Sequence, residues 1–197
     1  MLFFPTMSII YIHSGGAKDP YLRASFSLMH RMRRLLWRVV WIAFCRPSPV
    51  FFHGWRCYVL QCFGAQLGKN NLIYPSAQVW APWLLETGDV VTIASGVEIY
   101  NPAGVLLGHH AIISQNSYLC GGSHDYNDPS FPMISRKIVV GSYAWVCARA
   151  TVLLGVNIGE GAILGAAAVA TRDLEPFGVY SGNPARLVSM RKRQLVR

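Results

Sequence analysis

Carboxylates are scarce in this chain, and over one long stretch there are none. Between Asp19 and Glu86 no acid occurs, yet the span carries Arg23, Arg31, Arg33, Arg34, Arg38, Arg46, Arg56 and Lys69. Unbalanced positive charge of this kind points to nucleic acid, anionic lipid or a phosphorylated ligand. No zinc-finger spacing or aromatic RNA-binding signature accompanies it, which sets nucleic acid aside. Paired cysteines are also missing. Cys45, Cys57, Cys62, Cys120 and Cys147 are odd in number and contain no CxxC, so they read as idle thiols of a reducing compartment. No apolar run approaches the ~20 residues of a spanning helix. The start, MLFFPTMSIIYIHSGG, has neither a charged n-region nor a small-residue cleavage site, and reads as a loose extension over residues 1–25.

The formal charge of +9 is uneven along the 197 residues. Residues 86–185 hold eight acids against four bases, and the tail adds Arg186, Arg191, Lys192, Arg193 and Arg197. Two basic ends flank a mildly acidic middle. The length suits one domain with appendages.

What the middle has in abundance is a beat of six. Leu67, Ile73 and Val79 are followed, after a skip of two, by Thr87, Ile93 and Ile99, then after another skip by Leu107, Ile113 and Leu119. Beyond an interruption the beat resumes at Val140, Val146, Val152, Ile158 and Leu164. Thirteen of these fourteen residues are Ile, Leu or Val. The residue two before each is mostly Ala or Val, and glycine often follows, as at Gly68, Gly88, Gly108, Gly141, Gly159 and Gly165. A period of six fits neither helix nor free amphipathic strand. It suits a short strand and a turn, three per coil, with the aliphatic residue inward and glycine easing the turn dihedrals. Such coils bury their inner face only by stacking. A sandwich of short strands would alternate with period two instead.

The segments YPSAQVWAPWLLETGD, VEIYNP, SQNSYLCGGSHDYNDPSFPMI, VGSYAWV, VATRD and YSGNPARLV resemble the hexapeptide-repeat acyltransferases, most closely the colanic-acid and exopolysaccharide O-acetyltransferases. The likeness covers roughly residues 31–190. It implies an all-β, left-handed parallel β-helix over residues 65–173, preceded by helical segments at 26–64, broken by a loop at 121–137 and followed by a C-terminal segment, 174–197. It also implies a homotrimer with sites between subunits, acetyl-CoA as acyl donor and no metal. The acceptor is a sugar or glycolipid hydroxyl. Same-fold alternatives are a serine-type O-acetyltransferase and a non-catalytic scaffold.

An alcohol is un-ionised at neutral pH, so its proton must leave as it attacks the thioester. Neutral histidine, with a pKa near about 6.5, suits this if its other nitrogen is held by a fixed acceptor. His124 matches the family's catalytic histidine. Asp125 reads as a loop cap. Asn101, in IYNP, matches a substrate-binding asparagine, although a turn role is equally open. Trp145 occupies the aromatic position that lines the acceptor cleft. Ala148, Gly165 and Ala166 supply the small side chains a pantetheine arm needs, and Thr171, Arg172 and Arg186 match positions near the nucleotide phosphates, where a rigid guanidinium fork is apt. His109 and His110 read as turn residues; grouping them with His124 around zinc, as in β-helical carbonic anhydrases, fails on spacing.

The front end carries Leu35 to Cys45, strongly apolar but interrupted by Arg38 and stopped by Pro47 and Pro49. A second apolar segment, Phe51 to Phe63, reads as a cap on the open solenoid. For residues 26–46 two readings stand: a second cap, or a basic-aromatic helix resting on anionic membrane. The expected place is the cytoplasm, with contact at the inner face of its membrane.

Overall fold

The fold was analysed in a computed structural model that describes residues 9–12 and 25–192. The beat of six becomes a parallel β-helix of about six turns. Each coil lays one short strand on each of three sheets. The first face stacks Gln66–Leu67, Leu85–Thr87, Val105–Leu107, Ile138–Val140 and Asn157–Ile158. The second stacks Leu72–Ile73, Thr92–Ile93, Ile112–Ile113, Trp145–Val146, Ile163–Leu164 and Gly178–Ser181. The third stacks Gln78–Val79, Glu98–Tyr100, Tyr118–Cys120, Thr151–Leu153 and Val169–Ala170. Every pairing between coils is parallel and in register, so Ile73, Ile93, Ile113, Val146, Leu164 and Tyr180 form one inward column. Nearly all the beat residues are buried, and Ala77, Ala111, Ala144, Ala150 and Ala162 fill the narrow corners beside them at 0% exposure.

Both two-residue skips fall on the edge between third and first faces. One is taken up by a 3₁₀ turn, Pro82–Leu84, and the other by a turn closed by Gly104 N donating to Asn101 O. The loop at 121–137 leaves from the same edge. The coil ends later than the sequence suggests. Leu174 bridges to Ile158, and Tyr180 stacks on Leu164 sixteen positions earlier, not the eighteen that separate Val146 from Leu164. Stepping by six therefore lands on Pro176 and Gly182 and misses the last coil. Arg186–Met190 then folds back antiparallel on Gly178–Ser181.

Glycine serves close approach more than turn dihedrals. A Cβ on Gly68, Gly88, Gly108, Gly141 or Gly159 would lie 2.4–2.7 Å from backbone of the next coil. None of these five has positive φ. The left-handed conformation falls two residues on, at Asn70, Val90, His110, Tyr143 and Gly161.

Helix α1, Leu28–Val40, is capped by Ser27, whose side chain accepts from His30 N, and runs on into a π-helical turn, Trp41–Cys45. It lies against the third face. Trp37 Nε1 donates to Val79 O at 2.7 Å, while Arg33 and Arg34 sit 3.9 and 4.1 Å above the rings of Trp83 and Trp80. Helix α2, His53–Cys62, covers the open end of the first coil. Arg56 joins these parts. It is fully buried, and it donates to Ile73 O, Ser48 Oγ, Pro49 O and Val50 O. Carbonyls stand in for a carboxylate that this span does not contain. Within the expected loose extension, Ile10–Ile12 is a strand on the edge of the 121–137 loop, and residues 1–8 and 13–24 lie outside the described residues.

Candidate active site

The loop is a hairpin. Gly122–His124 pairs antiparallel with Met133–Ser135, whose other edge carries Ile10–Ile12. Its base passes so close to the coil beneath that only glycine fits. A Cβ on Gly121 would lie 2.8 Å from Tyr100 O, and one on Gly122 would lie 2.7 Å from the Tyr100 ring. At the tip, Asp125 Oδ1 accepts from Asn127 N and Asp128 Oδ1 accepts from Ser130 N, two local turns that the Asx side chains close. On its return Lys137 reaches Glu86 at 2.8 Å.

These turns bring Phe131 beneath His124. The two rings stack at 4.5 Å with 8° between planes, and His124 Nδ1 lies 3.0 Å from Phe131 O. A carbonyl can only accept, so Nδ1 carries the proton and a neutral ring presents Nε2 as a base. The ring is exposed. Phe131 was not singled out from the sequence; an aromatic after a paired Asx turn is the signal that marks it.

Other expected site residues are distributed around the prism. Trp145 lies on the second face, 43% exposed, its Nε1 donating to Ser114 Oγ at 2.8 Å. The loop with His124 leaves from the third-to-first edge, opposite that face, so one chain keeps the two apart. Thr171, Arg172 and Arg186 do meet: with Asp173 and Tyr180 they line a cavity of about 260 Å³. Thr171 follows the strand Val169–Ala170 at the edge that carries the loop, two coils further on, which is ~10 Å along the axis. Ala148, Gly165 and Ala166 lie instead along the second-to-third edge, where Ala167 N donates to Ala148 O.

Asn101 holds a different position from the one expected of a substrate ligand. It is fully buried, its amide donates to Ala81 O and Leu84 O, and its Oδ1 accepts from Ala81 N. It pins the enlarged corner below the loop. His109 Nδ1 accepts from Asp89 N, and His110 stacks on Tyr143 at 4.8 Å, so the pair serves the turns. Among the described residues no three His, Cys, Asp or Glu side chains are grouped to hold a metal, and all five cysteines are free.

No protein-family model matches the sequence. The Escherichia coli K12 "Putative colanic acid biosynthesis acetyltransferase WcaF" is 36% identical over 156 residues, which span 79% of this chain and 86% of that protein. The chain belongs to the hexapeptide-repeat acetyltransferases. A hexapeptide-repeat acetyltransferase of Vibrio cholerae, solved with acetyl-CoA, shares the fold at a TM-score of 0.76 and 20% identity, over 86% of this chain and 93% of the other. A maltose O-acetyltransferase of Clostridium difficile 630 follows at 0.75 and 17%, over 85% and 90%. In this chain the interruption of the coils carries a histidine, held by Phe131, out from a rigid edge.

Proposed function

We propose that the protein transfers an acetyl group from acetyl-CoA to a sugar hydroxyl of a polysaccharide or its precursor, directly and with His124 as general base. The observation that carries this reading is the bond from His124 Nδ1 to Phe131 O, which fixes the tautomer in which a neutral ring has Nε2 free to accept a proton. Bound acetyl-CoA supplies the thioester. Nε2 takes the hydroxyl proton as the C–O bond forms, and returns it to the sulfur as the C–S bond breaks. Stacking on Phe131 keeps the ring oriented throughout.

The donor assignment draws on the cavity at Arg172 and Arg186, whose guanidiniums suit nucleotide phosphates, and on the small residues Ala148, Gly165 and Ala166, which leave backbone open to pantetheine amides. The acceptor class draws on the family and on the names of WcaF and the maltose enzyme. A homotrimer accounts for the division of the site: a neighbour's second face, on which Leu72, Ile112 and Trp145 are exposed, would lie against the His124 edge.

Thiol release from acetyl-CoA in the presence of cell-extracted glycans, with mass spectrometry of the product, tests the reading. A glycan gaining acetyl is expected. Acetylation of serine in place of sugars would move the protein to the other acetyltransferase class, and no thiol release with any acceptor would leave a scaffold.

A further inference from the structure

Helix α1 has two apolar faces, and the fold uses only one. Trp37 and Trp41 point inward and are buried. On the opposite side Leu28, Met32, Leu35, Val39 and Ile42 recur at helical spacing, 49–69% exposed. Met29 and Leu36 widen this ridge. Phe44, within the π-helical turn, extends it, and beyond that turn Phe51, Phe52, Trp55 and Tyr58 are exposed as well. Scattered apolar residues on a surface are ordinary; a ridge this continuous marks something that covers it.

Arginines edge the ridge. Arg31 and Arg38 lie along one seam of the helix and Arg46 at its end. Their guanidiniums have no hydrogen-bond or ion-pair partner among the described residues. Beneath the helix, between it and the third face, a cavity of about 350 Å³ is lined by Arg34, Arg38 and Arg46 against the single carboxylate of Glu98. Residues 28–45 form a helical rod ~27 Å long. No helix among the described residues is long and apolar enough to cross a membrane. An apolar ridge with a cationic margin is the form that lies in the headgroup layer of an anionic bilayer.

We propose that α1 and the turn after it seat the protein on an anionic bilayer surface, with the ridge among the acyl chains and Arg31, Arg38 and Arg46 on lipid phosphates. Charge decides against a second copy of the same face, because no carboxylate lies between Asp19 and Glu86 to meet its arginines. The proposal is independent of the acetyl-transfer reading.

The test is co-sedimentation of the full chain with vesicles of phosphatidylglycerol in phosphatidylcholine, against phosphatidylcholine alone. Binding to the anionic vesicles is expected, and it should weaken as salt shortens the Debye length from ~30 Å at 0.01 M to ~10 Å at 0.1 M. The double variant Leu35→Glu/Val39→Glu should lose binding while keeping the melting temperature and thiol release from acetyl-CoA. Arg31→Gln with Arg38→Gln should weaken binding on the order of 30-fold. No binding by the parent chain overturns the proposal, as does binding that survives Leu35→Glu/Val39→Glu. If those substitutions instead dissociate an oligomer in size-exclusion chromatography, the ridge belongs to a subunit contact.

Discussion

His124 owes its orientation to groups outside its own dipeptide. The Phe131 carbonyl sets the tautomer, and the Phe131 ring sets the plane. His124→Ala should lower kcat by roughly 10²–10⁴, the usual worth of a positioned base, and leave KM for acetyl-CoA nearly unchanged. Steady-state kinetics with near-normal turnover would remove it from that role. Arg186 shares a cavity with Arg172, and the proposed function assigns that cavity to the far end of the donor. Arg186→Ala should raise KM for acetyl-CoA with kcat largely kept, because a remote phosphate contact helps ground and transition states alike. Repeating the measurement with a coenzyme lacking its 3′-phosphate tells whether that group is the one contacted: an undiminished penalty places Arg186 elsewhere.

Among elements, the first-to-second corner shows how one repeat unit meets two demands at different positions. Glycine is needed where coils touch, and a left-handed residue two places on. Gly108→Ala would set a Cβ 2.5 Å from Ser142 N and should destabilise by about 1–3 kcal/mol, as overpacking does. Val90 has φ of 58°, a poor conformation for a β-branched residue, and Val90→Asn, matching Asn70 one coil earlier, should stabilise by about 1 kcal/mol. Denaturant melts of the two variants should shift in opposite directions. At α1, His30 is wedged among Phe26, Trp80 and Trp83, and burial, then Arg34 and Arg33, hold its pKa below the ordinary 6.5. The unfolded chain therefore binds a proton that the folded chain refuses. This contribution to stability is present above about pH 6.5 and is lost as pH falls toward the lowered value. His30 Nε2 is buried with no hydrogen-bond partner among the described residues, so His30→Phe should keep the packing and flatten the acid limb of a melting-temperature profile. An unchanged profile would assign that limb to other groups.

At the scale of the whole molecule, the separation of His124 from Trp145 across the prism has a direct consequence. If the site lies between subunits, Trp145→Ala should be as defective as His124→Ala although each chain folds normally. Mixing the two variants and letting subunits exchange should restore part of the activity, since some interfaces then pair an intact histidine with an intact tryptophan. Mixtures that stay inactive despite exchange would place both residues in a site made by one chain.

The β-helix was legible before any coordinates because a six-residue beat constrains every coil locally: Ile93 and Ile113 must face inward wherever the chain is placed. His124, Arg172 and Arg186 stood out from the sequence through resemblance alone. Other features depended on stacking. The last coil is two residues short, so Tyr180 could not be found by counting and appears only as the neighbour of Leu164. Asn101 looks like a ligand in IYNP, yet the corner it supports is twenty residues earlier in sequence and one coil away in space. The two apolar faces of α1 are indistinguishable in a helical pattern, since both are apolar; contact with Val79 and Trp80 decides which is inside. Sequence by itself determined which residues point into a coil, because that depends on nearest neighbours along the chain. Tertiary structure alone decided which residues meet between coils, because register between distant segments is set by how many residues each turn consumes.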